Sequence, residues 1–160
     1  MSDQPTTMPK LQLDTIAEQS GSGYPSPFDQ PVAGRVWKRL GDAGGLTQFG
    51  VNLVHMQPGQ WSSQRHWHSH EDEFVYMVAG DLVLVTDAGE QPMGPGDCAA
   101  FPAGVADGHH LVNRSGAVAS FLAVGSRFAQ DRCVYPDIDL LLEPDADAFI
   151  HRDGSAYPPR

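Results

Sequence analysis

From Val36 to Gly125 the apolar residues come in short runs, each cut by glycine, proline or an acid, and this punctuation constrains the fold more than any other feature. FGVNLVHM (49–56) is followed by QPGQ, EFVYMVA (73–79) by GD, LVLVTD (82–87) by the link AGEQPMGPGD, and HHLVN (109–113) by RSG. SSQRHWH (62–68), CAAFP (98–102) and AVASFLAVG (117–125) complete the series. Short runs with turn residues at this spacing read as strands of a sandwich or barrel. The 17 Gly and 13 Pro agree, since each ends an element more readily than it extends one. The class read from this pattern is all-β.

At 160 residues the chain suits one domain with its own apolar core. Residues 1–33, with SGSGYPSPFDQP, read as a partly irregular arm. Residues 34–128 read as the barrel, and 129–160 as an extension packing on the barrel or on a partner subunit. One short helix is expected around 137–142. A net charge of −10 leaves no basic stripe for phosphates, so nucleic acid is not an expected partner. No apolar stretch is long enough to span a membrane. MSDQPTTMPKLQLDT lacks a charged-then-apolar leader, and Cys98 and Cys133 form no disulfide framework; both features predict a cytoplasmic protein with free thiols. Cys98 is expected as a buried packing residue of a barrel strand.

The chemistry concentrates in RHWHSHEDEFVYMVAG, residues 65–80. Side chains alternate along a strand, so His66 and His68 project together while Arg65 and Trp67 point the other way. Glu73 opens the next strand, where pairing beside the first would bring its carboxylate to the same face. Gly80 must turn sharply, and a further ligand is expected from the His109–His110 pair. His70 is expected in solvent. Glu71 and Asp72 are expected in a wet turn, from which either could hydrogen-bond a ligand imidazole. Parity puts Val75 and Met77 inward with Glu73, around an apolar cavity. Phe74, Tyr76 and Val78 face outward with Trp67, an apolar surface that predicts a homodimer.

The spacing His66-x-His68-x4-Glu73-x6-Gly80 resembles the first motif of the cupin superfamily. GDCAAFPAGVADGHHLVN, with Gly96, Pro102, Gly104, His109 and Asn113, resembles the second. Gly59 stands one residue further from His66 than in the family pattern, and four residues rather than two separate Gly104 from His109. Which of His109 and His110 closes the set therefore stays open. The resemblance implies an antiparallel double-stranded β-helix, or jelly-roll barrel, holding one divalent transition metal ion on His66, His68, Glu73 and His109. The donor set suits Zn, Mn, Fe or Ni.

Such an ion, with open positions beside it, serves either a metal-dependent enzyme acting on a small molecule or a non-catalytic ligand-binding module; a purely structural ion is the third reading. For the enzyme, isomerase, lyase and oxygenase types are all open, and the chain looks most like small single-domain bacterial cupins, usually described only as cupin-barrel proteins and sometimes as sugar-phosphate isomerases. That reaction calls for an anion grip, for which Arg35, Arg65, Arg114 and Arg127 are the nearby cations in sequence. Parity turns Arg65 away from the ligand face, Arg114 falls in a turn, and Arg127 is expected in solvent.

Overall fold

The computed structural model describes residues 9–159, so the first eight residues of the expected arm lie outside the described chain. The strands in chain order are β1 (Glu18–Ser20), β2 (Arg35–Arg39), β3 (Phe49–Met56), β4 (Trp67–His68), β5 (Glu73–Ala79) and β6 (Leu82–Thr86). They continue with β7 (Gly89–Met93), β8 (Cys98–Phe101), β9 (His110–Val112), β10 (Ala119–Ser126), β11 (Cys133–Tyr135) and β12 (Leu140–Leu142). All pairings are antiparallel, in one large sheet ordered β1-β2-β3-β10-β5-β8 and two small ones, β12-β11-β4 and β7-β6-β9. This is the expected all-β jelly roll.

Alternation builds the core. In the large sheet Val54 pairs with Phe121 and with Trp37, and Val75 pairs with Ala123 and Ala99, so these side chains share one face. The small sheet β7-β6-β9 answers with Leu82, Leu84, Met93 and Leu111, and the two faces close on the fully buried Met56 and Met77. Each such side chain contributes about 1.5–3 kcal/mol by leaving water. Buried Asn113 closes one end: its Nδ2 donates to the carbonyls of Met56 and Ala117, while its Oδ1 accepts from the Ser115 amide. At Gly80 the chain turns at φ +73°, and a Cβ there would lie 2.8 Å from Ala119 Cα. Only glycine fits.

Within the arm, β1 pairs with β2, a 3-10 turn spans Gln30–Val32, and Tyr24 and Val32 are buried in a second cluster with Cys133, Tyr135 and Leu140. Several expectations need correction. The link after β6 contains β7, whose GEQPM lacks an alternating apolar pattern and is held by pairing with β6. Residues 137–142 form no helix; Leu140–Leu142 is strand β12, because β11 offers Leu140 and Leu141 strand partners. Only Trp67–His68 of 62–68 is strand, and Trp67 pairs with Val134 rather than joining the outer face of β5. Cys98 is exposed on β8, opposite Tyr76, and not buried.

Candidate metal centre

His66 and His109 exchange two backbone hydrogen bonds, His66 N to His109 O at 3.2 Å and His109 N to His66 O at 2.9 Å. Residues paired this way present their side chains to the same face, and the two rings lie 4.8 Å apart. The bridge settles the direction of the adjacent pair, since consecutive residues point to opposite sides. His109 enters the barrel and stacks on Phe101 at 3.6 Å. His110 instead packs edge-on against Trp61, and its Nδ1 meets the Ser63 carbonyl at 3.0 Å.

His68 follows on β4 with its ring 5.0 Å from that of His66, as alternation requires. Glu73 does not reach the site by pairing beside them. β4 and β5 belong to different sheets, and the carboxylate crosses the barrel interior from the large sheet. Its Oε2 stands 2.7 Å from His109 Nε2, 3.3 Å from His66 Nε2 and 3.6 Å from His68 Nε2. His66, Glu73 and His109 thus offer three ligand atoms mutually within 4.8 Å.

The outer nitrogens decide what the inner ones can do. His66 Nδ1 donates to the Gln64 carbonyl at 2.8 Å, and His68 Nδ1 donates to Asp131 Oδ2 at 2.6 Å. A neutral imidazole with its proton on Nδ1 carries a lone pair on Nε2. Two lone pairs are therefore aimed at an anionic oxygen, an arrangement that demands a cation or a proton between them. The residues fit a metal ion on that ground.

Electrostatics describe the proton case. Burial works to raise the Glu73 carboxyl, but the charge on a protonated His66 and hydrogen bonds from His109 and His66 outweigh it and hold it well below the usual range. Burial works to lower His66, yet Glu73 prevails and raises it, so a metal ion would have to displace the proton between them. At His109 burial wins, favouring the neutral ring that a metal ligand must be. His109 Nδ1 is buried with no hydrogen-bond partner among the described residues.

Asp131 is the residue that sequence reading missed. Its Oδ2 accepts the hydrogen bond from His68 Nδ1 while its Oδ1 accepts the amides of His70 and Glu71 at 2.8 and 3.2 Å. It lies 63 residues beyond His68, and no local pattern links them. Of the residues expected in the turn, His70 is exposed, and Glu71 sits 3.9 Å from His68 Nδ1 and accepts the Phe128 amide.

A cavity of about 410 Å³ opens beside this cluster, with His66, Glu73 and His109 in its wall together with Glu71, Arg35 and Arg127. Its size suits a small organic molecule. Arg65 points away, as parity predicts, onto Asp137 and Asp87, and Arg114 pairs with Glu90 in its turn.

Comparison with known proteins decides the family. A crystal structure from Silicibacter pomeroyi, named a sugar phosphate isomerase from a cupin superfamily, is 53% identical, covers 94% of this chain and 97% of its own, and superimposes with a TM-score of 0.89. The chain belongs to the cupin superfamily. The cupin domain model matches residues 52–125, which contain all four expected ligands. A candidate sugar phosphate isomerase from Acidithiobacillus ferrooxidans is 30% identical over 79% of this cupin and 81% of its own chain, with a TM-score of 0.69. The polyketide cyclase RemF from Streptomyces resistomycificus shares the fold, with 21% identity, a TM-score of 0.57, and 75% and 80% of the two chains covered. No curated protein matches the chain.

Proposed function

We propose that this cupin binds one divalent transition metal ion (Zn, Mn, Fe or Ni) through His66, His68, Glu73 and His109 and transforms a small organic molecule in the adjoining cavity. The observation that carries this is the meeting of three Nε2 atoms around Glu73 Oε2, with two of them left as lone pairs by the Gln64 carbonyl and Asp131. A bound ion would supply Lewis-acid polarisation of a substrate oxygen. The protein's own part is to hold the imidazoles in one tautomer and shelter the substrate in the cavity. Glu71, in the same wall, has its carboxyl raised by burial and is placed to take or give a proton. Among isomerase, lyase and oxygenase chemistry we favour the isomerase, because the Silicibacter pomeroyi relative carries that name at 53% identity.

Elemental analysis of protein purified without chelators tests the centre. Wild type and His110→Gln should retain one ion per chain, while His109→Gln should lose it; equal metal content in all three would refute the ligand set. Proton NMR of the metal-loaded protein with aldose and ketose phosphates then reads the reaction. Interconversion supports the isomerase, and saturable binding without turnover supports the alternative of a ligand-binding module.

Assembly as a homodimer belongs to the same reading. Phe74, Tyr76 and Val78 stand 39–46% exposed on the outer face of β5, beside Leu122 and Val124 of β10. Light scattering should give a dimer mass that Tyr76→Lys reduces to a monomer. A cytoplasmic setting accords with the two free thiols.

A further inference from the structure

Among the described residues Arg35 has no counter-ion, in a chain with 20 acids and 10 basic residues. Every other arginine in or near the motifs has a carboxylate: Arg65 has Asp137 and Asp87, Arg114 has Glu90, Arg127 has Asp42 and Arg132 has Glu143. Among the described residues none pairs with Arg35 within ion-pair distance. Its register explains where it points. Arg35 pairs with Met56 and Trp37 with Val54, both core residues, so β2 turns Arg35 to the interior face. There the guanidinium lies 5.3 Å from the Trp37 ring, and one terminal nitrogen donates to the Ser62 carbonyl, on the segment that runs on to His66. Its Nε is buried and has no hydrogen-bond partner among the described residues. Burial lowers its pKa, with only the hydroxyls of Tyr24 and Tyr135 acting against this.

A half-buried guanidinium with no carboxylate partner among the described residues is costly unless an anion completes it. Arg35 lines the same cavity as His66, Glu73 and His109. We infer that Arg35 anchors an anionic group, phosphate or carboxylate, of the molecule whose other end reaches the histidine cluster. This deepens the proposed function and rests on the cavity being the substrate site. Arg127 lines the same cavity but is held by Asp42, so it closes the wall rather than offering a free charge. A planar guanidinium with two donors on one edge grips such oxygens better than an ammonium does.

Calorimetric titration of the metal-loaded protein with glycerol 3-phosphate, succinate and uncharged glycerol tests the assignment. Wild type should bind one of the two anions and not glycerol; whichever anion binds identifies the phosphate or the carboxylate as the source. Arg35→Gln should weaken that binding about tenfold or more while leaving metal content unchanged. Arg35→Lys, which keeps the charge, should lose less, and it carries the test if the Gln variant does not fold. Anion affinity equal to wild type in a folded Arg35 variant, or no preference of wild type for the anions over glycerol, overturns the anchor. Retained metal in those same samples would leave the metal centre standing, whereas metal-free wild type would instead remove the proposed function.

Discussion

Asp131→Asn is the sharpest perturbation of the centre, because it changes one atom of a side chain that touches no expected ligand atom directed inward. The carboxylate acts as acceptor on both oxygens: Oδ2 for His68 Nδ1–H at 2.6 Å, and Oδ1 for the His70 and Glu71 amides at 2.8 and 3.2 Å. An amide offers one acceptor and one donor, so in either orientation its NH2 faces a donor. If the amide oxygen stays with the loop, the NH2 meets His68. The ring then relaxes by moving its proton to Nε2, which removes the lone pair a metal needs. If the oxygen turns to His68, two loop amides lose their acceptor and segment 69–71 loosens. Removing such an outer partner typically lowers metal affinity about 10- to 100-fold, or about 1.4–2.7 kcal/mol. The Asp131 side chain is only 10% exposed, so water replaces the lost contact poorly. Competition between metal-depleted protein and a chromophoric chelator for Zn²⁺ or Co²⁺ measures the shift. Affinity within threefold of wild type, in a variant with unchanged circular dichroism, would refute the argument that Asp131 sets the His68 tautomer.

Further outcomes follow from the backbone and from charge. Gly80→Ala combines φ +73° with a Cβ 2.8 Å from Ala119 Cα and should cost about 2–4 kcal/mol in urea unfolding, whereas Gly59→Ala, at φ +81° with no atom within 4 Å, should cost about 1–2 kcal/mol. Equal losses would show that crowding at Ala119 is unimportant. The Arg65 hydrogen bond holds the Asp137 carboxyl below its ordinary value, against a smaller opposing effect of burial. A depressed carboxyl adds stability above its unfolded pKa and loses it as pH falls through the folded value. Asp137 is 56% exposed, so after solvent screening the contribution is at most about 1 kcal/mol. Urea midpoints of wild type and Asp137→Asn should differ at neutral pH and converge below about pH 3; a constant gap across that range would contradict the linkage.

How much of this was legible without coordinates depended on whether a residue's role is written in its neighbours. β3 and β5 were readable at their observed bounds, 49–56 and 73–79, because period-two alternation with Gly and Pro at the ends reflects local physics. β7 carries no alternation, and β12 reads as well as a helical turn; both are held by partner strands. The spacing of His66, His68, Glu73 and Gly80 brought the cluster into view, but that His109 rather than His110 turns into the barrel needed the bridge to His66. The interior direction of Arg35 needed its register against Met56.

The residue pattern alone settles the strand alphabet of this cupin and the donors that could meet, since alternation and turn chemistry act over a few residues. What meets what is another matter. Asp131 under His68, Glu73 arriving from the opposite sheet and the Arg35 guanidinium in the cavity wall all depend on distant strands coming into register. Hydrogen-bond pairing across the barrel sets that register, and local sequence does not encode it.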